Sequence, residues 1–119
     1  MRSIDPIYIG PGIWYIIHSQ ALSDLYHEEN KEEYVLLINS IADNFPCDLC
    51  KIHFKQYIKE HPIEDYFNIK LTDIDNSDNI GLFYWSWKYH NSVNTRLGKD
   101  ILSFNTALSI YKKSNVDSD

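Results

Sequence analysis

The apolar residues of this chain recur at intervals of three and four, which is the spacing of one face of an α-helix. The first stripe predicts a helix over residues 12 to 26 and includes His18. The second predicts a helix that begins at Asn30, which Glu33 follows at capping-box spacing, and that stops before Pro46. No stretch alternates between apolar and polar residues, as a half-exposed strand does.

The next two segments predict a helix followed by a loop. The third helix is expected to begin at Pro46 and the adjacent cysteines, because proline suits the first turn of a helix, and to end at His61. Residues 62 to 79 are rich in Asp, Asn and Ser and have no sustained period. They predict a loop with one short helical turn.

The fourth helix is predicted to be capped by Asp78 or Asn79 and to end near Gly98. Apolar residues surround it, so we expect it to be either central or at a subunit contact. A fifth, shorter helix is predicted by Leu102, Phe104, Leu108 and Tyr111. The whole pattern predicts an all-α fold, a four-helix bundle with a short fifth helix.

The composition fits one globular domain. The chain has 119 residues, 44% of them hydrophobic, and neither a repeat nor a linker rich in Gly or Pro divides it. We therefore expect a single domain over residues 1 to 119, with its core at about 10 to 113 and a frayed polar tail over 114 to 119.

The net charge and the lack of a long apolar segment argue against some classes of partner. A net charge of −6 disfavours nucleic acid and anionic membranes as partners. The sequence has no apolar run of about 18 residues, and its N-terminus lacks the order of a signal peptide. We expect no membrane partner and a cytosolic location.

The two cysteines form a Cys-x-x-Cys motif, Cys47 and Cys50, directly after Pro46. Unpaired backbone N–H groups and the dipole at a helix start favour a reactive thiolate. Residues three apart lie on one helical face, so the two sulfur atoms can form and break a disulfide. Two alternatives stay open: a pair of small buried residues, and half of a zinc site completed by histidines such as His53.

The stretch from His90 to Lys99 places polar side chains on a helix otherwise built from large aromatics. Buried imidazole and amide groups need hydrogen-bond partners, which another helix or a ligand can supply. A large flat cofactor would stack on aromatic rings, and Arg96 or Lys99 would meet its phosphate. Trp14 and His18, at i and i+4, belong to an apolar stripe and taken alone are typical of a core.

Together these residues resemble the Erv/ALR family of FAD-linked sulfhydryl oxidases over about residues 10 to 100. The short form is most similar to members from large DNA viruses. The matching pattern is Gly10, Trp14-x-x-x-His18, Pro46-Cys47-x-x-Cys50 and Trp85-x4-His90-Asn91-x-Val93-Asn94-x-x-Leu97-x-Lys99.

The resemblance implies that FAD binds at the mouth of the bundle, with Cys47 as the outer sulfur and Cys50 beside the flavin ring. It also implies a set of FAD contacts: Gly10, Trp14, His18, His90, Asn91, Val93, Asn94, Leu97 and Lys99. Tyr15 and Tyr57 are further candidate lining residues. No metal is implied.

The implied activity is the oxidation of protein thiols to disulfides, with electrons passing through the cysteine pair to FAD and then to O2, giving H2O2. The implied partners are a thiol-containing viral substrate or relay protein and a second copy of the chain in a homodimer. The implied location is the host cytoplasm, at virus assembly sites or in the virion.

The chain departs from the family pattern in two respects. It lacks the shuttle cysteine pair and the structural disulfide of cellular members, and Pro11 stands where Arg is typical. Two other classes remain open: a helical zinc-binding interaction module, and a structural protein whose aromatic helix makes an oligomer contact.

Overall fold

The computed structural model describes residues 6–23, 26, 30–70 and 80–117. These residues form five α-helices and one short 3-10 helix, and no β-strand, which confirms the all-α prediction. The helices are α1 (Pro6–Ala21), α2 (Lys31–Asp43), α3 (Asp48–Glu60), the 3-10 helix (Ile63–Tyr66), α4 (Ile80–Arg96) and α5 (Phe104–Asp117). None of the helices in the described segments has the length and apolarity to span a membrane.

Helix α4 is the centre of the bundle. It packs against α1, α5 and the 3-10 helix, while α2 packs against α1 and α3. The expectation that this aromatic helix is central is therefore confirmed. Its buried residues are Ile80, Gly81, Leu82, Phe83, Trp85, Ser86 and Tyr89.

The boundaries of α1 differ from the prediction. The helix begins at Pro6 rather than at residue 12, because a proline in the first helical position gives up no hydrogen bond. It ends at Ala21 rather than at residue 26. The N–H groups of Leu22 and Ser23 bond three residues back, at 3.2 and 3.0 Å, which tightens and closes the last turn.

Helix α2 has the predicted extent, but the predicted capping box is not formed. Asn30 is the N-cap residue, and its side chain makes no capping hydrogen bond. Glu32 and Glu33 lie in the first turn, where their charge interacts favourably with the helix dipole. The loop predicted over residues 62 to 79 contains the single turn of 3-10 helix, and residues 71 to 79, with the predicted caps Asp78 and Asn79, lie outside the described residues.

The end of α4 is fixed by a glycine. Gly98 has φ 72°, the left-handed region that glycine adopts without strain. Its N–H bonds to the Thr95 carbonyl at 3.2 Å, and the Lys99 N–H bonds to the Asn94 carbonyl at 2.8 Å. This is the Schellman pattern, and it turns the chain sharply toward α5.

Helix α5 begins after Ser103, whose hydroxyl accepts the Thr106 N–H at 3.2 Å. It has 14 residues, against 13 in α2 and in α3, although a shorter helix was predicted. Ala107 and Leu108 are buried against the bundle, which stabilises the helix. It continues to Asp117, into the segment that was predicted to be frayed.

Two helical glycines should respond in opposite ways to alanine. A Cβ at Gly81 would overlap the backbone carbonyl of Tyr66, whereas a Cβ at Gly12 would meet nothing within 4 Å. We expect Gly81→Ala to destabilise the fold by about 1 to 3 kcal/mol, the usual cost of overpacking. Gly12→Ala should instead stabilise it by about 0.5 to 1 kcal/mol. Urea unfolding of both variants tests this, and equal effects would contradict the close approach of α4 to the 3-10 helix.

Candidate functional site

A stack of four rings joins α1, α4 and α5. Trp14 stacks on His90, with ring centroids 3.8 Å apart and planes at 10°. The His18 and His90 rings have centroids 5.0 Å apart and planes at 24°. The Tyr111 ring of α5 packs on His18 at 4.4 Å. The structure thus brings Trp14 and His18 of α1 together with His90 of α4.

A chain of hydrogen bonds fixes the protons on the two histidines. The Ser86 hydroxyl donates to the Phe83 carbonyl at 2.7 Å, so its oxygen accepts from His18 Nδ1 at 2.9 Å. Neutral His18 then carries no proton on Nε2, which accepts from His90 Nδ1 at 2.8 Å. Nε2 of neutral His90 is left as an acceptor. The chain therefore presents a lone pair, not a proton, at the half-buried end of the pair.

Burial keeps both histidines neutral. Burial, together with the nearby His90, lowers the pKa of His18 to about 3. It also lowers the pKa of His90 to about 4, with the positive charge of Lys99 acting in the same direction. The tautomers derived above therefore persist at neutral pH.

The cysteine pair lies at the start of α3, as predicted. Cys47 is the N-cap residue, and its sulfur accepts the backbone N–H of Cys50 at 3.3 Å. The Cys47 thiol donates to the Cys50 sulfur at 2.7 Å. Both are free cysteines in this structure and are half-buried. The two sulfur atoms of the motif are thus in contact.

The reactive thiolate expected at the start of α3 is not supported at Cys50. Burial, and after it the contact with Cys47, raise the pKa of the Cys50 thiol to about 11. The positive charge of Arg96 acts in the opposite direction. Desolvation therefore outweighs the helix-terminus effect at this sulfur, and Cys50 is protonated at neutral pH.

Aromatic contacts link the cysteine helix to the histidine pair. Phe54, one turn beyond Cys50, stacks on Tyr89 with centroids 4.4 Å apart. Tyr89 in turn contacts Trp14 at 5.3 Å. The candidate Tyr57 lies on this side of α4 as well, at 5.0 Å from Tyr89. The pair and the ring stack are therefore parts of one packed region.

The Asn91 side chain bonds to the backbone of the segment after α4, and the FAD contact inferred for it stays a prediction. Its amide donates to the Leu102 carbonyl at 2.8 Å and accepts the Leu102 N–H at 2.9 Å. Trp87 donates to the same carbonyl at 2.7 Å. Together these side chains hold the connection between α4 and α5.

The remaining candidates lie along the end of α4 and on α1. Val93 and Asn94 are half-buried, whereas Leu97 is 53% exposed and Lys99 is also exposed. Tyr15 is exposed on α1 and joins none of the ring contacts among the described residues. Gly10, with Pro11, lies in α1 outside the residues whose surroundings the structure describes. The FAD contacts inferred for these residues stay predictions.

Sequence reasoning missed three residues that build this region: Ser86, Tyr89 and Phe54. Ser86 stands at i−4 from His90 in a run of large aromatics, and it is fully buried. A small hydroxyl residue in such a run must find a hydrogen-bond partner, and this signal could have linked it to a histidine.

A zinc site is not supported. Among the described residues, no group of three or more His, Cys, Asp or Glu side chains is placed to hold a metal ion. The histidine nitrogens nearest the centre of the fold are bonded to Ser86 and to each other.

Comparison with known proteins gives a consistent result. A model of the Erv1 / Alr family matches residues 11–114. The chain is similar to the FAD-linked sulfhydryl oxidase of African swine fever virus (isolate Pig/Kenya/KEN-50/1950), with 29% identity over 110 residues, 91% of this chain and 83% of that protein. It is also similar to the mitochondrial FAD-linked sulfhydryl oxidase ERV1 of Saccharomyces cerevisiae, with 26% identity over 103 residues, 82% of this chain and 49% of that protein.

The fold has a solved counterpart. The crystal structure of the yeast Erv1 core superimposes with a TM-score of 0.73 at 24% identity, covering 94% of this chain and 87% of that chain. The helical arrangement is therefore shared.

Lowering the pH should destabilise the fold through the histidine pair. Both histidines have folded pKa values below the ordinary value of 6.5. At a pH between its folded pKa and 6.5, each histidine therefore binds more protons in the unfolded chain than in the folded one. The free energy of unfolding should fall by up to about 1.4 kcal/mol per pH unit for His18, and by less for half-buried His90. Urea unfolding at pH values from about 7 down to about 4.5 measures this. For His90→Gln we expect the free energy of unfolding to change less steeply with pH. A free energy of unfolding that stays constant over this pH range in the parent chain would contradict the neutral histidine pair.

Cys50 should become reactive only at high pH. Since its thiol has a pKa of about 11, its thiolate fraction rises about tenfold per pH unit through the neutral range. We expect carbamidomethylation by iodoacetamide to follow that slope, with Cys50 distinguished from Cys47 by fragmentation mass spectrometry. Arg96→Gln should slow the reaction, and the control Lys59→Gln, at the far end of α3, should leave it unchanged. A rate plateau near neutral pH would disprove the raised pKa.

Proposed function

This chain belongs to the Erv1/Alr family, and we propose that it is an FAD-linked sulfhydryl oxidase that forms disulfide bonds in other proteins. The observation that carries the proposal is the joining of a free Cys-x-x-Cys pair, through Phe54 and Tyr89, to the stack of Trp14 on His90. A redox pair and a platform for a flat ligand lie in one packed region.

The residues present fit a flavin dinucleotide. Stacked indole and imidazole rings suit its planar ring systems, and Nε2 of His90 offers an acceptor for a hydrogen-bond donor of the cofactor. Leu97 is an exposed apolar residue at the end of α4, next to a cation suited to phosphate at Lys99. We propose Trp14, His18, His90, Leu97 and Lys99 as the residues that hold FAD.

The cysteines carry the thiol chemistry. With the pair as a disulfide, a thiolate of the substrate attacks Cys47, a mixed disulfide forms, and Cys50 leaves and takes up a proton. A second substrate thiol then attacks the substrate sulfur of the mixed disulfide and releases Cys47. The substrate has lost two electrons and two protons, and the pair has become the dithiol. At Cys47 the N–H of Cys50 favours the leaving thiolate.

The dithiol must then give up two electrons before the next cycle. FAD, when bound, supplies a two-electron acceptor that O2 can reoxidise with release of H2O2. On the protein side, Cys50 must lose its proton at this stage, which burial opposes and Arg96 favours. Arg96, at the end of α4, thus has a role in the site, because its charge favours the loss of the Cys50 proton.

We propose a viral setting on the basis of the viral relatives. The substrate or relay would be a thiol-containing viral protein, and the enzyme would act in the host cytoplasm at sites of virus assembly or in the virion. A homodimer is proposed as well. Its support is the exposure of Tyr15 and Ile16, two large side chains that are adjacent on α1.

The function is tested by cofactor content and turnover of cysteine variants. We expect the purified protein to show a flavin absorbance spectrum and to release about one FAD per chain on denaturation. Cys50→Ser and Cys47→Ser should retain FAD, because neither sulfur is needed for the ring stack, and should lose oxygen consumption with dithiothreitol.

The control is the melting temperature of each variant, which should match that of the parent chain. A colourless protein that takes up no added FAD would overturn the proposed function. Turnover of Cys50→Ser comparable to the parent chain would overturn the role given to that sulfur.

A further inference from the structure

Two large apolar side chains are exposed within the redox helix itself. Leu49, between the two cysteines, is 63% exposed, and Ile52 is 60% exposed. They stand three residues apart on α3 and therefore lie side by side on its surface. Leaving both in water is unfavourable, and neither is needed for the core of the domain.

The packing of α3 determines where Leu49 and Ile52 lie relative to the two cysteines. The opposite face of α3 packs into the bundle through Phe54, which is buried, and through Tyr57. Cys47 is at the amino-terminal tip of the helix, and Leu49 is in the first turn beside it. A polypeptide bound at Cys47 is therefore close enough to contact Leu49.

A row of lysines runs next to this pair. Lys51, Lys55 and Lys59 recur at i, i+4 and i+8 on α3, in a chain whose net charge is −6. Lys55 pairs with Asp43 at 2.9 Å, in a contact where both side chains are more than half exposed. Because Asp43 offsets the charge of Lys55, Lys51 and Lys59 are the cations of this row that favour acidic groups on a bound segment.

We propose that Leu49 and Ile52 form the docking surface for the substrate protein, and that it takes a segment with an apolar residue beside the reactive cysteine and an acidic residue further along. This proposal rests on the proposed function, because thiol oxidation is what requires a second polypeptide at Cys47. The apolar contact would position the substrate thiol, whereas small thiols would reach the disulfide without it.

The test compares peptide and small-molecule thiols. Two synthetic peptides carry the same pair of cysteines and one acidic residue, and they differ only in having leucine or serine beside the first cysteine. We expect the FAD-loaded parent chain to oxidise the leucine peptide with a kcat/KM about tenfold higher, the effect of one buried leucine contact. The double variant Leu49→Ser/Ile52→Ser should lose that difference and keep its rate with dithiothreitol.

Leu36→Ser is the matched control, because Leu36 is 68% exposed but lies on α2. It should behave as the parent chain does. The docking surface is wrong if the double variant still prefers the leucine peptide, or if Leu36→Ser loses the preference equally. If the double variant instead changes the oligomeric state in analytical ultracentrifugation and the peptide preference persists, the pair is a contact between copies and not a substrate site. Failure of the parent chain to oxidise dithiothreitol would overturn the proposed function, and this inference with it.

Discussion

The hydrogen-bonded chain from the Phe83 carbonyl through Ser86 and His18 to His90 is the constraint on which this structure depends. It is buried between α1 and α4, so each of its polar atoms must be matched by a partner inside the protein. That requirement fixes the relative rotation of the two helices. It also fixes the plane of the His90 ring, and the near-parallel stacking of Trp14 follows from it. A ligand that stacks here therefore meets rings whose orientation is already set.

Burial acts in opposite directions at the two ends of the candidate site, with one physical cause. A low-polarity environment disfavours charge, so it lowers the pKa of the histidines and raises that of the Cys50 thiol. The result is a region with neutral groups around the rings and a protonated inner cysteine. Among the described residues, the charges of Arg96 and Lys99, both exposed at the end of α4, act on Cys50 and His90. In the proposed function, electron transfer from the pair thus depends on where the Cys50 proton goes.

The end of α4 shows how a chain with only two cysteines secures this region. Gly98 reverses the backbone, and Trp87 and Asn91 then bond to the backbone of Leu102. These contacts hold the connection to α5, so that Tyr111 can pack on His18. Asn91 is part of the sequence motif that suggests cofactor binding, yet in this fold its amide supports the loop.

The sequence by itself determined the helices, the Cys-x-x-Cys motif at the start of α3 and the family, and it left α4 either central or at a subunit contact. These properties are encoded locally. Each signal, whether helical periodicity, the helix end at Pro46 or a short motif, depends on residues that are close together in the sequence. The ends of α1 and the length of α5 needed the structure, since packing and end-of-helix hydrogen bonds set them. The tertiary structure alone decided the partners of Ser86 and Asn91 and the protonation of Cys50. His18 is 68 residues from Ser86 and 72 from His90 along the chain, and no local pattern specifies which distant group will satisfy a buried polar atom or remove water from a sulfur.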